Sequence, residues 1–340
     1  MSTAELGTTF SPQQCEYLGF SKDQTRQAFR EILFLEPSVI RLCGQWNRLE
    51  PQQGRMDFRE LDWLINVSLQ KGVTVALTVG LKAPRYPEFH IPAWLEQQMT
   101  LEPFIGKRAV DTNSKLTDAT LSFVQKTVEH VKGAHNITHI QVENEPLAPV
   151  TFVGGWFISE GFLRREMAVV QEVKRQDQRT LLTLGALPIP IPISGVDDEQ
   201  QIIISMELAD DIGLDVYNNV SVGTYAAFPL IKKLYVKPLL VYFDNKLARW
   251  HRQLEQAGKQ TWITESQAEP WEQGGYVHLE KTNYPSSDPE QAQKLAQSLI
   301  KTGYSPILLW GSEYWYWHKV NGNTSWWDAM EKFMNDERGK

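Results

Sequence analysis

Cysteine is almost missing from this chain of 340 residues. Only Cys15 and Cys43 occur, too few for a disulfide framework or a four-thiolate zinc site. Histidine is also sparse, and the seven present form no His-x-His or HExxH pair. No metal ligand set is therefore expected. No glycine-rich phosphate loop appears; Gly154-Gly155 and Gly274-Gly275 read as loop hinges, and no cofactor is expected. Basic charge is not in excess. Lys and Arg number 34 against 41 Asp and Glu, a net charge of −7, without a dense Lys/Arg run. That speaks against a nucleic-acid surface. No apolar run approaches the roughly 18 residues of a membrane span. The opening residues, MSTAELGTTFSPQQ, lack the basic and apolar regions of a signal peptide, so a cytoplasmic protein is expected. No low-complexity stretch or polar linker divides the sequence, and one domain over residues 1–340 is expected.

What is present is a globular composition, 42% hydrophobic and 22% charged. Aromatics are plentiful, with 12 Trp, 11 Tyr and 14 Phe. Most must pack the core. Yet Trp310, Trp315, Tyr316, Trp317, Trp326 and Trp327 crowd one stretch that also carries polar groups. Flat apolar faces edged by hydrogen-bonding groups suit sugar rings, so some of these are expected to bind substrate.

Strand-like and helix-like segments alternate from end to end. Strands are expected at 17–20, 39–43, 73–79, 137–142, 180–184, 212–217, 260–264 and 307–310. Helices are expected near 22–35, 58–72, 121–131, 159–176, 199–209, 244–257, 289–302 and 325–335. In the second of these Phe58, Leu61, Ile65 and Leu69 form one stripe that Gly72 ends. Eight strand–helix repeats are the number that closes an α/β fold of the (β/α)8 TIM-barrel type. The long connections, at 80–116, 146–158, 185–198, 218–243 and 266–288, each follow a strand. The turns at Lys71-Gly72 and Lys132-Gly133, from helix to strand, are short. That asymmetry places the extra material, and hence the chemistry, on one face of the barrel.

Two motifs end strands. Gln141-Val-Glu-Asn-Glu-Pro146 closes the fourth and Trp262-Ile-Thr-Glu-Ser-Gln267 the seventh. Strands four and seven of an eight-stranded barrel lie on opposite sides, so Glu145 and Glu265 can face each other across a substrate. Cleaving a glycosidic bond requires a proton for the leaving oxygen and a negative group at the anomeric carbon. Carboxyls about 5–5.5 Å apart give direct attack and retention; roughly 6.5–9.5 Å leaves room for water and gives inversion. Glu269 and Glu313 compete with Glu265 for the second place, and Glu143 shares strand parity with Glu145, as a supporting hydrogen-bond acceptor.

Asn144-Glu145-Pro146 with Glu265 resembles clan A of the retaining glycoside hydrolases, which includes the family 5 cellulase-like enzymes and the family 35, 39 and 42 β-glycosidases. Trp46-Asn-Arg-Leu-Glu-Pro51, Gly54 and Asp57-Phe58 resemble a segment common after the second strand of that clan. The resemblance spans nearly the whole chain. It implies a retaining β-glycosidase that acts on a β-linked carbohydrate by double displacement, with Glu145 as acid/base and Glu265 as nucleophile. It also implies that Arg41 contacts the nucleophile, that Asn144 holds a substrate hydroxyl, that Tyr217 is the aromatic after strand six and that Trp310 is a sugar platform. Trp46 and Asn47 would line the non-reducing subsite. The chain departs from the family 5 pattern after strand three, where Lys82, Arg85 and Glu88 replace a histidine-containing pair. A transglycosylase on the same scaffold and a non-catalytic glycan-binding barrel are the alternatives. The apolar loops at 151–158 and 225–243 are expected to pack on the rim, to wall an aglycone site, or to join copies in a homo-oligomer.

Overall fold

The aliphatic and β-branched runs of the sequence become the staves of a closed parallel sheet. The computed structural model describes residues 4–98, 108–150, 155–186, 197–217, 220–221, 235–236, 240–272 and 284–339. The barrel strands are β1 (Leu6–Phe10), β2 (Val39–Cys43), β3 (Thr74–Val79), β4 (Ile137–Val142), β5 (Arg179–Ala186), β6 (Asp211–Val216), β7 (Thr261–Gln267) and β8 (Ile307–Trp310). Each pairs with its successor, and β8 returns to β1. Leu6 stands opposite Ile307, and Val79 opposite Val142. Strands covered on both faces need not alternate, which is why β3 reads TVALTV and β8 reads ILLW. The architecture is the (β/α)8 barrel that the sequence predicts.

One strand lies elsewhere than expected. Residues 17–20 do not form it. Pro12–Tyr17 is a helix, with Pro12 in its first turn and the Ser11 side chain accepting from the Gln14 amide. The strand is Leu6–Phe10, LGTTF, whose five residues are all buried. Its glycine is a packing requirement: a Cβ on Gly7 would sit 2.2 Å from the Val39 carbonyl oxygen.

The main helices after the strands are Lys22–Phe34, Arg59–Gln70, Ser114–Val131, Glu160–Val173, Asp198–Leu208, Leu240–Gln256, Pro289–Thr302 and Ser325–Arg338. In Arg59–Gln70 the buried stripe is Leu61, Leu64, Ile65 and Ser68. Leu69, expected on that stripe, falls on its flank and is 52% exposed. An additional helix, Ser312–Val320, absorbs much of the aromatic stretch. Trp315, Tyr316, Trp326 and Trp327 are buried. Tyr316 meets Trp327 edge-on at 5.8 Å, and the Trp315 indole donates to the Ala268 carbonyl at 2.6 Å.

Two compact units carry these elements. One holds the described residues of Met1–Arg41, Gly185–Ile193 and Gly213–Lys340; the other holds those of Leu42–Leu184 and Ser194–Ile212. Trp156–Phe157 pairs with Arg108–Ala109, and Tyr235–Val236 with Val220–Ser221, so the described residues of the two apolar loops add no barrel strand. The rest of 222–239, residues 151–154 and the LPIPIPI stretch lie outside the described residues, and so does most of the proposed aglycone wall or oligomer contact. No helix among the described residues is long and apolar enough to cross a membrane.

Candidate active site

The first unit carries Glu265. It sits near the C-terminal end of β7 and is buried. Both carboxylate oxygens have partners. Arg41 Nη2 lies 2.6 Å from Oε1, and the Tyr217 hydroxyl donates to Oε2 at 2.5 Å. Arg41 comes from β2 and is fully buried. Its Nε donates to Thr9 Oγ1 at 2.9 Å, and its guanidinium lies 5.5 Å from the centre of the Trp310 ring. Tyr217 directly follows β6 and meets Trp271 edge-on at 4.9 Å. Burial, and then the negative charge of Glu265, push the Tyr217 hydroxyl well above the ordinary phenol range. The phenol therefore keeps its proton and can only donate to the carboxylate. The result is a carboxylate clamped by a guanidinium and a phenol, each a charge-assisted hydrogen bond. Glu313 is fully buried, and its Oε1 accepts from the Ser11 amide at 2.6 Å. Glu269 is buried beside Gly311, where an added Cβ would come within 2.7 Å of the Glu269 Cβ.

The second unit carries Glu145. After β4 the backbone turns through two left-handed residues, Glu143 at φ 62° and Glu145 at φ 43°. Conformations of this kind cost on the order of 1–2 kcal/mol each and need support from their surroundings. Support is present. The Glu145 amide donates to Thr183 Oγ1 at 2.9 Å, and the Gln141 side chain donates to the Glu143 carbonyl at 2.9 Å. Lys82 Nζ donates to the carbonyls of Glu145 and Ala148, at 2.8 and 3.3 Å. Asn144 is buried, and its Oδ1 lies within 3.3 Å of Gln141 Nε2. The half-buried Glu145 side chain is thus presented on a turn held at three points.

Among the residues that sequence places beside the sugar, Trp46 belongs to the interior. Its indole donates to Glu50 Oε2 at 2.7 Å, its ring stacks on Phe123 at 5.1 Å, and no part of it is exposed. The segment that resembles the clan pattern after strand two is thereby a structural brace, because Glu50 also receives the Gly54 amide at 2.7 Å. Asn47 is half-buried and its backbone N–H donates to the His90 carbonyl at 2.9 Å. His90 itself escapes a sequence reading. It lies eleven residues past β3, is fully buried, and is pushed down to about 4 by burial. Glu166 also escapes. It lies on the buried stripe of Glu160–Val173, between Leu163 and Val170, and an acid on such a stripe is the signal that could have found it.

Solved structures of the same fold include a β-galactosidase from the Antarctic haloarchaeon Halorubrum lacusprofundi. It is similar over 98% of this chain and 58% of its own, with a TM-score of 0.62 and 13% identity. GH5_18 from Bifidobacterium longum subsp. longum, in complex with Manb1-4GlcNAc, matches over 99% of this chain and 78% of its own, at TM-score 0.66 and 9% identity. Xylanase 10B from Thermotoga maritima matches over 99% and 97%, at TM-score 0.61 and 12% identity. The chain thus spans little more than half the length of the haloarchaeal protein. No family model matches the chain, and no curated protein matches it. At these identities the likeness establishes the barrel fold.

Proposed function

We propose that this barrel is a retaining β-glycoside hydrolase, with Glu265 as nucleophile and Glu145 as acid/base. The observation that carries the reading is the setting of Glu265. A buried carboxylate at the end of a barrel strand, held by Arg41 and by a phenol that keeps its proton, is suited to attack a carbon and then to leave it. In the first step a Glu265 oxygen bonds to the anomeric carbon as the glycosidic C–O bond breaks, and Glu145 gives its proton to the departing oxygen. In the second, water attacks the same carbon, Glu145 takes the water proton, and the ester to Glu265 breaks. Two inversions leave the configuration retained. Asn144, beside Glu145, supplies an amide for a substrate hydroxyl, and Trp310 backs the Arg41 guanidinium. The two carboxyls and water complete the chemistry, so no cofactor is required.

The similar structures direct the substrate search. One is a β-galactosidase, one a xylanase, and one holds Manb1-4GlcNAc. The test is a panel of aryl β-galactosides, β-xylosides and β-mannosides together with Manβ1-4GlcNAc, followed by NMR of the released sugar. The expected outcome is turnover with the β-anomer appearing first. Glu145→Gln and Glu265→Gln should each lower kcat by about three orders of magnitude or more while the circular dichroism spectrum is kept. Appearance of the α-anomer first, or wild-type-like turnover in either variant, would overturn the assignment.

A further inference from the structure

Next to the Glu145 turn, within the same unit, two carboxyl groups are buried together. Glu143 follows β4, and Glu166 projects from the helix Glu160–Val173; neither is exposed at all. The Glu143 carboxylate receives two amide hydrogens, from Leu81 to Oε1 at 2.7 Å and from Lys82 to Oε2 at 2.5 Å. Its approach to the backbone is so close that a Cβ on Gly80 would fall 2.2 Å from Oε1. Glu166 receives no such donor. Neither of its buried oxygens takes a hydrogen from an N–H or O–H of another described residue, and the polar group within hydrogen-bond reach is the Glu143 carboxyl. Two carboxylates facing each other in a dry interior present only acceptors and a doubled negative charge. A single proton between them turns that repulsion into a hydrogen bond.

Lys82 makes the tie reciprocal. Its amide is held by Glu143, while its fully buried side chain reaches over to hold the Glu145 and Ala148 carbonyls. The end of β3 and the turn bearing Glu145 are therefore fastened to each other in both directions.

We propose that Glu143 and Glu166 share one proton at neutral pH, and that the protonated pair positions Glu145 through Lys82. The positioning role rests on the acid/base reading of Glu145; the shared proton does not. Burial first, and then the charge of Glu143, push the Glu166 carboxyl well above the usual range. Burial raises Glu143 too, against the two amides and Lys82. The proton therefore belongs to Glu166 and is donated to Glu143. Among the described residues, the other charged groups facing the pair are Asp111, which raises Glu166, Arg165 of the same helix, which lowers it, and Lys82, which lowers Glu143 and itself has Glu88 at 3.7 Å. Asp111 is itself engaged by the amide and hydroxyl of Ser159, at 2.8 and 2.6 Å. When rising pH removes the shared proton, the two charges repel, the Leu81 and Lys82 amides lose their anchor, and the Glu145 turn loosens.

The experiment compares wild type with Glu166→Gln and Glu143→Gln. Glutamine at 166 donates a permanent hydrogen to Glu143, whereas glutamine at 143 sets an amide group against two N–H donors. In a Glu145→Gln background, which removes the acid/base proton, infrared spectra at pH 7 should show a carboxylic-acid C=O band that Glu145→Gln combined with Glu166→Gln lacks. The alkaline limb of kcat should move to higher pH in Glu166→Gln. Glu143→Gln should lower kcat about tenfold or more with KM changed less than about threefold. Should Glu143→Gln fail to fold, Lys82→Met gives the same split between kcat and KM. A spectrum without the band in Glu145→Gln, or one that keeps it when Glu166→Gln is added, overturns the shared proton. An unmoved alkaline limb overturns the positioning role. Failure of the glycosidase reading would show separately, as absence of turnover in wild type, and the infrared result would still decide the proton.

Discussion

At the scale of single residues, the proposed nucleophile is distinguished by the company it keeps. Tyr217 gives Glu265 one hydrogen bond through a phenol that does not ionise in the working range. A hydrogen bond to a charged group is worth about 1.5–3 kcal/mol. Tyr217→Phe should therefore cost about 10- to 150-fold in kcat/KM on the best aryl β-glycoside, with little loss of stability. Arg41 is a different case, because both members of its pair are buried. Arg41→Met strands a carboxylate in the interior, and removal of one partner from a buried pair costs about 3–5 kcal/mol. Urea unfolding should show that loss, and Arg41→Met combined with Glu265→Gln should recover much of it, because the stranded charge is gone. A double variant no more stable than Arg41→Met alone would mean that the guanidinium acts through Thr9 and Trp310 rather than through the charge. Sequence singles out Glu265, Glu145 and Tyr217 because each stands at or beside a strand end, and Arg41, in the middle of β2, through the resemblance alone. Glu166 shows in sequence only as an acid on an apolar stripe, and its pairing does not, since its partner lies 23 positions away and only packing brings the two together.

At the scale of elements, seven of the barrel strands follow from aliphatic runs, and the missed one shows why such runs suffice only in part. LGTTF is short and contains a glycine and two threonines, so it carries little apolar signal. It is a strand because its neighbours leave no room for anything else, with Gly7 against Val39. Tyr17–Phe20 has the stronger local pattern and loses to Ser11 and Pro12, which start a helix just before it. Burial alone does not sort the aromatic stretch: Trp310 is as buried as Trp327, yet Trp310 lies against Arg41 while Trp327 packs on Tyr316. The turn after β4 hides in sequence as well, since nothing about Glu143 or Glu145 announces a left-handed residue. The structure ties that turn to Gly80, which has φ 129° and no space for a side chain. Gly80→Ala should lower stability by about 2–4 kcal/mol, from strain at its φ and from displacement of the Glu143 carboxylate. Its kcat should fall more steeply than that of a distant variant of equal stability, as thermal melts paired with kinetics would show.

At the scale of the whole molecule, stability as a function of pH sets two buried groups against each other. His90 is pushed from an ordinary value of 6.5 down to about 4, chiefly by burial. Between those values the unfolded chain holds a proton that the folded chain lacks. Stability from this group therefore rises with pH across that window and is lost again on acidification, by about 3 kcal/mol in full. His251 and His318, also lowered by burial, add slopes of the same sign. The Glu143–Glu166 pair acts oppositely. Above the ordinary carboxyl value the folded chain keeps a proton that the unfolded chain has released, so stability falls as pH rises. The exposed carboxylates lowered by surface ion pairs, Asp177, Glu207 and Glu290, matter only below that range. From about pH 4.5 to 6.5 the two buried effects oppose each other, and the wild-type curve should be shallow there. Removing either should unmask the other. Relative to wild type, His90→Gln should tilt the curve of unfolding free energy against pH downward over this window, and Glu166→Gln should tilt it upward. Urea titrations at half-unit pH steps would measure both slopes. Parallel curves for wild type and Glu166→Gln would mean that the folded protein carries no extra proton, and equal slopes for wild type and His90→Gln would mean that His90 can be protonated without opening the core.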